Sequence, residues 1–87
     1  MSHRLTPTDI LEQVSQIVGE TIDVEGLALQ PGMTASDVAG WDSLAHVQIM
    51  IAIERAFGIR FRTGDMASIA DVGELVKRIE DRLAGRP

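Results

Sequence analysis

The sequence predicts an all-α fold, a four-helix bundle of three longer helices and one short one with a long first loop. Three observations lead there. Apolar residues recur at helical spacing in three separate stretches, each marked by a capping signal or a closing glycine. Between the first two stretches the period is lost, and Gly26, Pro31, Gly32 and Gly40 punctuate the chain. One run, Ile59-Arg60-Phe61-Arg62, alternates like a strand, but it is short and has nothing to pair with, so it reads as an extended linker.

The first helix opens at Thr6-Pro7-Thr8-Asp9, with Thr6 as cap, proline at the first helical position and Asp9 reaching back from three residues on. Ile10, Leu11, Val14, Ile17 and Val18 form its stripe, which predicts a helix over 7–19. The stretch from Gly19 to Asp42 is then a long ordered loop pinned by Leu27, Leu29, Met33, Val38 and Trp41. Helix 2 is expected over 43–57, closed by Gly58 as a C-cap. A short helical turn is expected over 63–68. Asp71 and Glu74 form a second capping box, and Val72, Leu75, Val76, Ile79 and Leu83 carry the last helix over 71–84.

At 87 residues the chain is read as one domain, 1–87, with an ordered core over about 5–84. Hydrophobic residues at 45% and charged residues at 24% place it with soluble globular chains. No cysteine is present, which excludes a disulfide framework, a thiolate metal site and a cysteine nucleophile together. Any thiol chemistry must be imported, and no metal site is expected. No apolar run follows the first basic residues and none reaches spanning length, which predicts a cytoplasmic protein without membrane insertion. A net charge of −5 argues against nucleic acid and for basic protein surfaces as partners. The charge is uneven: Arg4 alone opposes the acids before Ser43, whereas Arg55, Arg60, Arg62, Lys77, Arg78, Arg82 and Arg86 all follow it.

Helix 2 carries more apolar residues than one stripe can hold. At about 100° per residue, Ile49, Met50, Ile53 and Phe57 cluster, Val47 lies at their edge, and Leu44 and Ile51 swing well round. Ala45, Gln48, Ala52 and Arg55 are read as facing away. Either the long loop folds over the extra arc, or Leu44 and Ile51 stay partly exposed as a docking surface.

Ser43 stands at that helix start directly after Asp42, and by position alone either residue reads as a cap. A nucleophilic serine needs a base and an oxyanion hole, yet the Gly-x-Ser-x-Gly elbow is absent and His46, three residues on, has no orienting third group. No catalytic residue is therefore assigned. A hydroxyl at a helix N-terminus is also well placed to carry a phosphodiester, whose charge the helix dipole and free N–H groups favour.

Gly40-Trp41-Asp42-Ser43-Leu44, the apolar helix after it and Phe57-Gly58-Ile59 closely resemble the attachment region of acyl carrier proteins, whose signature is Asp-Ser-Leu. The likeness covers nearly the whole chain, element by element. It implies an acyl-carrier-protein-like bundle and a non-catalytic carrier, on which a phosphopantetheinyl transferase places 4'-phosphopantetheine from coenzyme A at Ser43, with Asp42 and Leu44 as its recognised neighbours. Acyl groups would then be held as thioesters, whose thiol of pKa about 8.5 leaves more readily than an alcohol. Acyl-transfer, ligase or synthase enzymes become the partners of a monomeric carrier. Met50, Ile53, Phe57, Ile69 and Ile79 are candidate lining for a bound acyl chain, although core packing explains them equally. Carriers of general fatty-acid synthesis resembling this chain show an acidic face along helix 2, absent here. That departure implies a specialised fatty-acid, polyketide or related pathway, docking through Leu44, Val47, Ile51 and Arg55. An aminoacyl or peptidyl carrier of nonribosomal synthesis and an unmodified helical interaction module are the alternatives.

Overall fold

The computed structural model describes residues 5–62, 64–65 and 69–85. Its elements in order are α1 (Pro7–Ile22), a 3-10 turn at Ala35–Asp37, α2 (Ser43–Phe57) and α3 (Val72–Leu83), with no strand among the described residues. Helix α1 packs on both α2 and α3. The core between them is made by Ile10, Val14 and Val18 of α1, Ile49, Met50 and Ile53 of α2, and Val72, Leu75 and Ile79 of α3, each essentially without solvent contact.

Each helix starts where its capping residues dictate. The Thr6 hydroxyl accepts the Asp9 N–H at 3.1 Å while an Asp9 carboxylate oxygen accepts the Thr6 N–H at 3.0 Å, the reciprocal box the sequence predicts. At α3 the box is altered. Asp71 accepts the Glu74 N–H at 2.8 Å, but Glu74 reaches past it to the Ala70 N–H at 3.1 Å. Gly58 closes α2 in the left-handed region, as expected of a C-cap glycine.

The boundary that moves most is the end of α1, which continues to Ile22 instead of stopping at Gly19, while α3 falls one residue short of the expected 71–84 at each end. Gly19 is a site of close approach: the chain turns back through Asp23, in the left-handed region, and the Val24 N–H donates to the Gly19 carbonyl at 2.8 Å. A Cβ at Gly19 would lie 2.7 Å from the Val24 carbonyl oxygen. The glycine therefore serves tertiary contact, and its helix-breaking propensity is overridden.

The long loop is pinned as the sequence predicts. Leu29 is buried, and Leu27, Met33, Val38 and Trp41 pack against the core. Polar ties add to this: the Leu29 N–H donates to the buried Ser15 hydroxyl of α1 at 3.1 Å, and the first N–H groups of α3, those of Val72 and Gly73, donate to the Met33 and Pro31 carbonyls at 2.8 Å each. The loop thus satisfies the open end of one helix and a buried hydroxyl of another.

After α2 the chain runs extended, with Phe61 buried and its N–H donating to Glu54 at 2.7 Å. The short helix expected over 63–68 falls mostly on residues 63 and 66–68, which lie outside the described residues; Gly64 and Asp65 are helical. Asp65 is buried, accepts the Arg62 N–H at 3.0 Å, and pairs with Arg78 and, at 2.5 Å, with Arg82 of α3. The Arg62 N–H first, then the Arg82 guanidinium and the field of Arg78, hold its pKa below the usual carboxylate value, against the opposing effect of burial. No helix among the described residues is long and apolar enough to cross a membrane.

Candidate functional site

The start of α2 resolves the choice between Asp42 and Ser43. Asp42 is the N-cap: its backbone is extended and its carboxylate accepts the Ala45 N–H at 2.8 Å. Ser43 is therefore the first helical residue, exposed, and makes no side-chain hydrogen bond among the described residues. The first intrahelical bond runs from the His46 N–H to the Asp42 carbonyl at 2.8 Å. Helix geometry leaves the Ser43 and Leu44 N–H groups without helical acceptors, beside the serine hydroxyl. An anionic group on that oxygen meets the positive end of the helix dipole and two N–H donors, so the residues present fit a phosphodiester.

Behind the serine, the loop is fastened to the helix by a pair the sequence reading did not identify. The Trp41 indole N–H donates to His46 Nδ1 at 3.1 Å, and the two rings stack with centroids 6.1 Å apart and planes at 27°. With Nδ1 occupied as an acceptor for Trp41, His46 does not pair with Ser43 as a general base would. A tryptophan just before a helix and a histidine within its first turns are the only sequence signal of this contact. Among the described residues no group of three or more His, Asp or Glu is placed to hold a metal ion.

Along α2 the residues separate into two faces. Ile49, Met50 and Ile53 are fully buried and Phe57 is half-buried. Ala45, read from sequence as facing away, is only 7% exposed, because the spacing 45, 49, 53 stacks it on Ile49 and Ile53 along the core side. Outward lie Leu44, Val47, Gln48, Ile51 and Arg55, spaced i, i+3, i+4, i+7, i+11, a single stripe rising from Ser43. Leu44 is 69% exposed, Val47 51% and Ile51 41%, so the long loop does not cover this arc. A shallow depression lined by Gln48, Ile51, Ala52, Arg55 and Ala56 lies on it.

The residues considered for acyl lining sit together as core. Met50, Ile53 and Ile79 are fully buried, with Phe57 and Ile69 packed against the same cluster. A separate cleft lies between α1 and the turn after it, walled by Glu12, Glu20, Asp23 and Glu25 among others.

Residues 12–79 match the family described as "Phosphopantetheine attachment site". Among solved structures, the chain is similar to the solution NMR structure of a holo acyl carrier protein from Geobacter metallireducens, with a TM-score of 0.80, 26% sequence identity and 87% of each chain covered.

Proposed function

Since this chain belongs to the acyl carrier protein family, we propose that Ser43 bears its covalently attached 4'-phosphopantetheine and that the chain presents acyl groups to enzymes of a fatty-acid, polyketide or related specialised pathway. When bound, the arm supplies the thiol that a chain without cysteine lacks, so that acyl groups are held in readily transferable form. The observation that carries this reading is the state of the Ser43 hydroxyl. It is exposed at the first position of α2 and takes no part in capping, because Asp42 performs that task.

The division of labour follows. Asp42 fixes the helix start, so that Ser43 is presented at a set angle, and together with Leu44 it forms the surface a phosphopantetheinyl transferase reads. The Trp41–His46 contact holds the incoming loop against the first turn. Leu44, Val47, Ile51 and Arg55 form the surface on which partner enzymes dock. Met50, Ile53, Phe57, Ile69 and Ile79 serve the core in this reading, with any room for cargo made by their displacement.

Mass spectrometry after incubation with coenzyme A and a broad-specificity transferase tests the assignment. A gain the size of phosphopantetheine that vanishes in Ser43→Ala is expected. No gain with several transferases, or a gain retained by Ser43→Ala, contradicts it.

A further inference from the structure

We propose that the acyl-handling enzyme served by this carrier docks along α2 through an apolar patch edged by carboxylates, the acids lying against Arg55, Arg60 and Arg62. The inference rests on the carrier reading above and adds the chemistry of the partner.

Two features of the surface carry it. First, the outward stripe of α2 is apolar near Ser43 and cationic at its far end, about 18 Å away at 1.5 Å per residue. The exposed residues of α2 are Ser43, Leu44, Val47, Gln48, Ile51, Arg55 and Ala56, with no carboxylate among them. Second, the acids close to that far end are already committed. Glu54 is half-buried with its carboxylate on the Phe61 N–H, and Asp65 is held by Arg78 and Arg82. Arg55, Arg60 and Arg62 are exposed and form no ion pair among the described residues.

Helix chemistry accounts for only part of this charge. Arg55 lies in the last turn of α2, where a cation complements the helix dipole. Arg60 and Arg62 lie beyond the helix and owe nothing to it. They alternate with Ile59 and Phe61, which turn inward, so their guanidinium groups are carried outward by the register of the extended segment. In a chain of net charge −5, three such arginines stand against the general balance. The exposed acids Glu12, Glu20, Asp23 and Glu25 line the cleft between α1 and the turn after it. A partner with a basic patch would be drawn to that cleft, whose lining includes no residue of α2. A partner with carboxylates is repelled from it and steered to the end of α2, which lays its apolar patch on Leu44, Val47 and Ile51 and its active site towards Ser43.

The probe is a purified acyl-transferring enzyme that accepts the loaded carrier as substrate, used with carrier loaded at Ser43 and checked by mass. Transfer is measured for the unaltered chain, Arg55→Gln, Arg55→Glu and Arg60→Glu/Arg62→Glu, at low and high salt. Surface sites of this kind are expected to leave the melting curve unchanged. The expected result is a KM raised about tenfold by charge reversal at low salt, less by Arg55→Gln, with kcat held and the differences shrinking at high salt. Unchanged or faster transfer by the glutamate variants would overturn the proposal. Failure of Ser43 to load would appear earlier, in the mass spectrum, and would remove the carrier reading and this proposal together.

Discussion

Helices α1 and α2 are nearly equal in length, 16 and 15 residues, and pack against each other, yet they use their surfaces differently. Helix α1 buries Ile10, Val14 and Val18 and turns Glu12, Gln13, Gln16 and Glu20 outward, so its sequence states which side is which. Helix α2 buries Ile49, Met50 and Ile53 and turns Leu44, Val47 and Ile51 outward. One helix has a core side and a polar solvent side; the other has a core side and an apolar side left exposed. Large hydrophobes left exposed beside Ser43 are what the proposed docking role of the second helix rests on.

The comparison can be broken first at the core. Ile53→Ala should lower stability by about 2–5 kcal/mol, read from the midpoint of urea unfolding, because the site has no solvent contact in which a cavity could be relieved. A loss as small as that of a surface substitution would show that the inner face of α2 is not packed as described. Gly19→Ala comes next, at about 1–3 kcal/mol, since the added methyl would meet the Val24 carbonyl at 2.7 Å and backbone would have to move. If it raised stability, as alanine does at an open helical position, the close approach of the turn to α1 would be disproved.

A smaller effect concerns the segment after α2. Asp65 titrates below its unfolded value of 3.8 when folded, so the unfolded chain binds its proton first as pH falls. Its contribution to stability is complete above the unfolded pKa and is lost as pH falls through the folded one. Urea midpoints taken between about pH 5 and pH 3 should fall less steeply in Asp65→Asn than in the unaltered chain. Parallel slopes would mean that Asp65 is not held by Arg62, Arg78 and Arg82 in solution.

How far the sequence discloses this architecture varies from residue to residue. The caps at Thr6 and Asp71 and the stop at Gly58 are local chemistry, and the helix limits of α2 agree with them. Gly19 misleads because a glycine kept for tertiary contact looks like one that ends a helix. Ala45 misleads because a small apolar residue carries little directional signal; its place is set by Ile49 and Ile53 above it. The Asp-Ser-Leu signature makes the candidate site legible, yet only the structure separates capping Asp42 from the unengaged hydroxyl of Ser43. The Trp41–His46 bond, the Ser15–Leu29 bond and the use of Glu54 by Phe61 join residues whose pairing depends on how the loops return, and no local pattern announces them.

The most direct test of the two-sided helix is Ile51→Glu, followed through melting, Ser43 loading and acyl transfer to the partner enzyme in one preparation. Stability within about 0.5 kcal/mol of the unaltered chain, full loading and slowed transfer are expected, since Ile51 is 41% exposed on the outward stripe. Collapse of the fold would place Ile51 in the core, and transfer at the original rate would show that the outward face of α2 is not where partners dock.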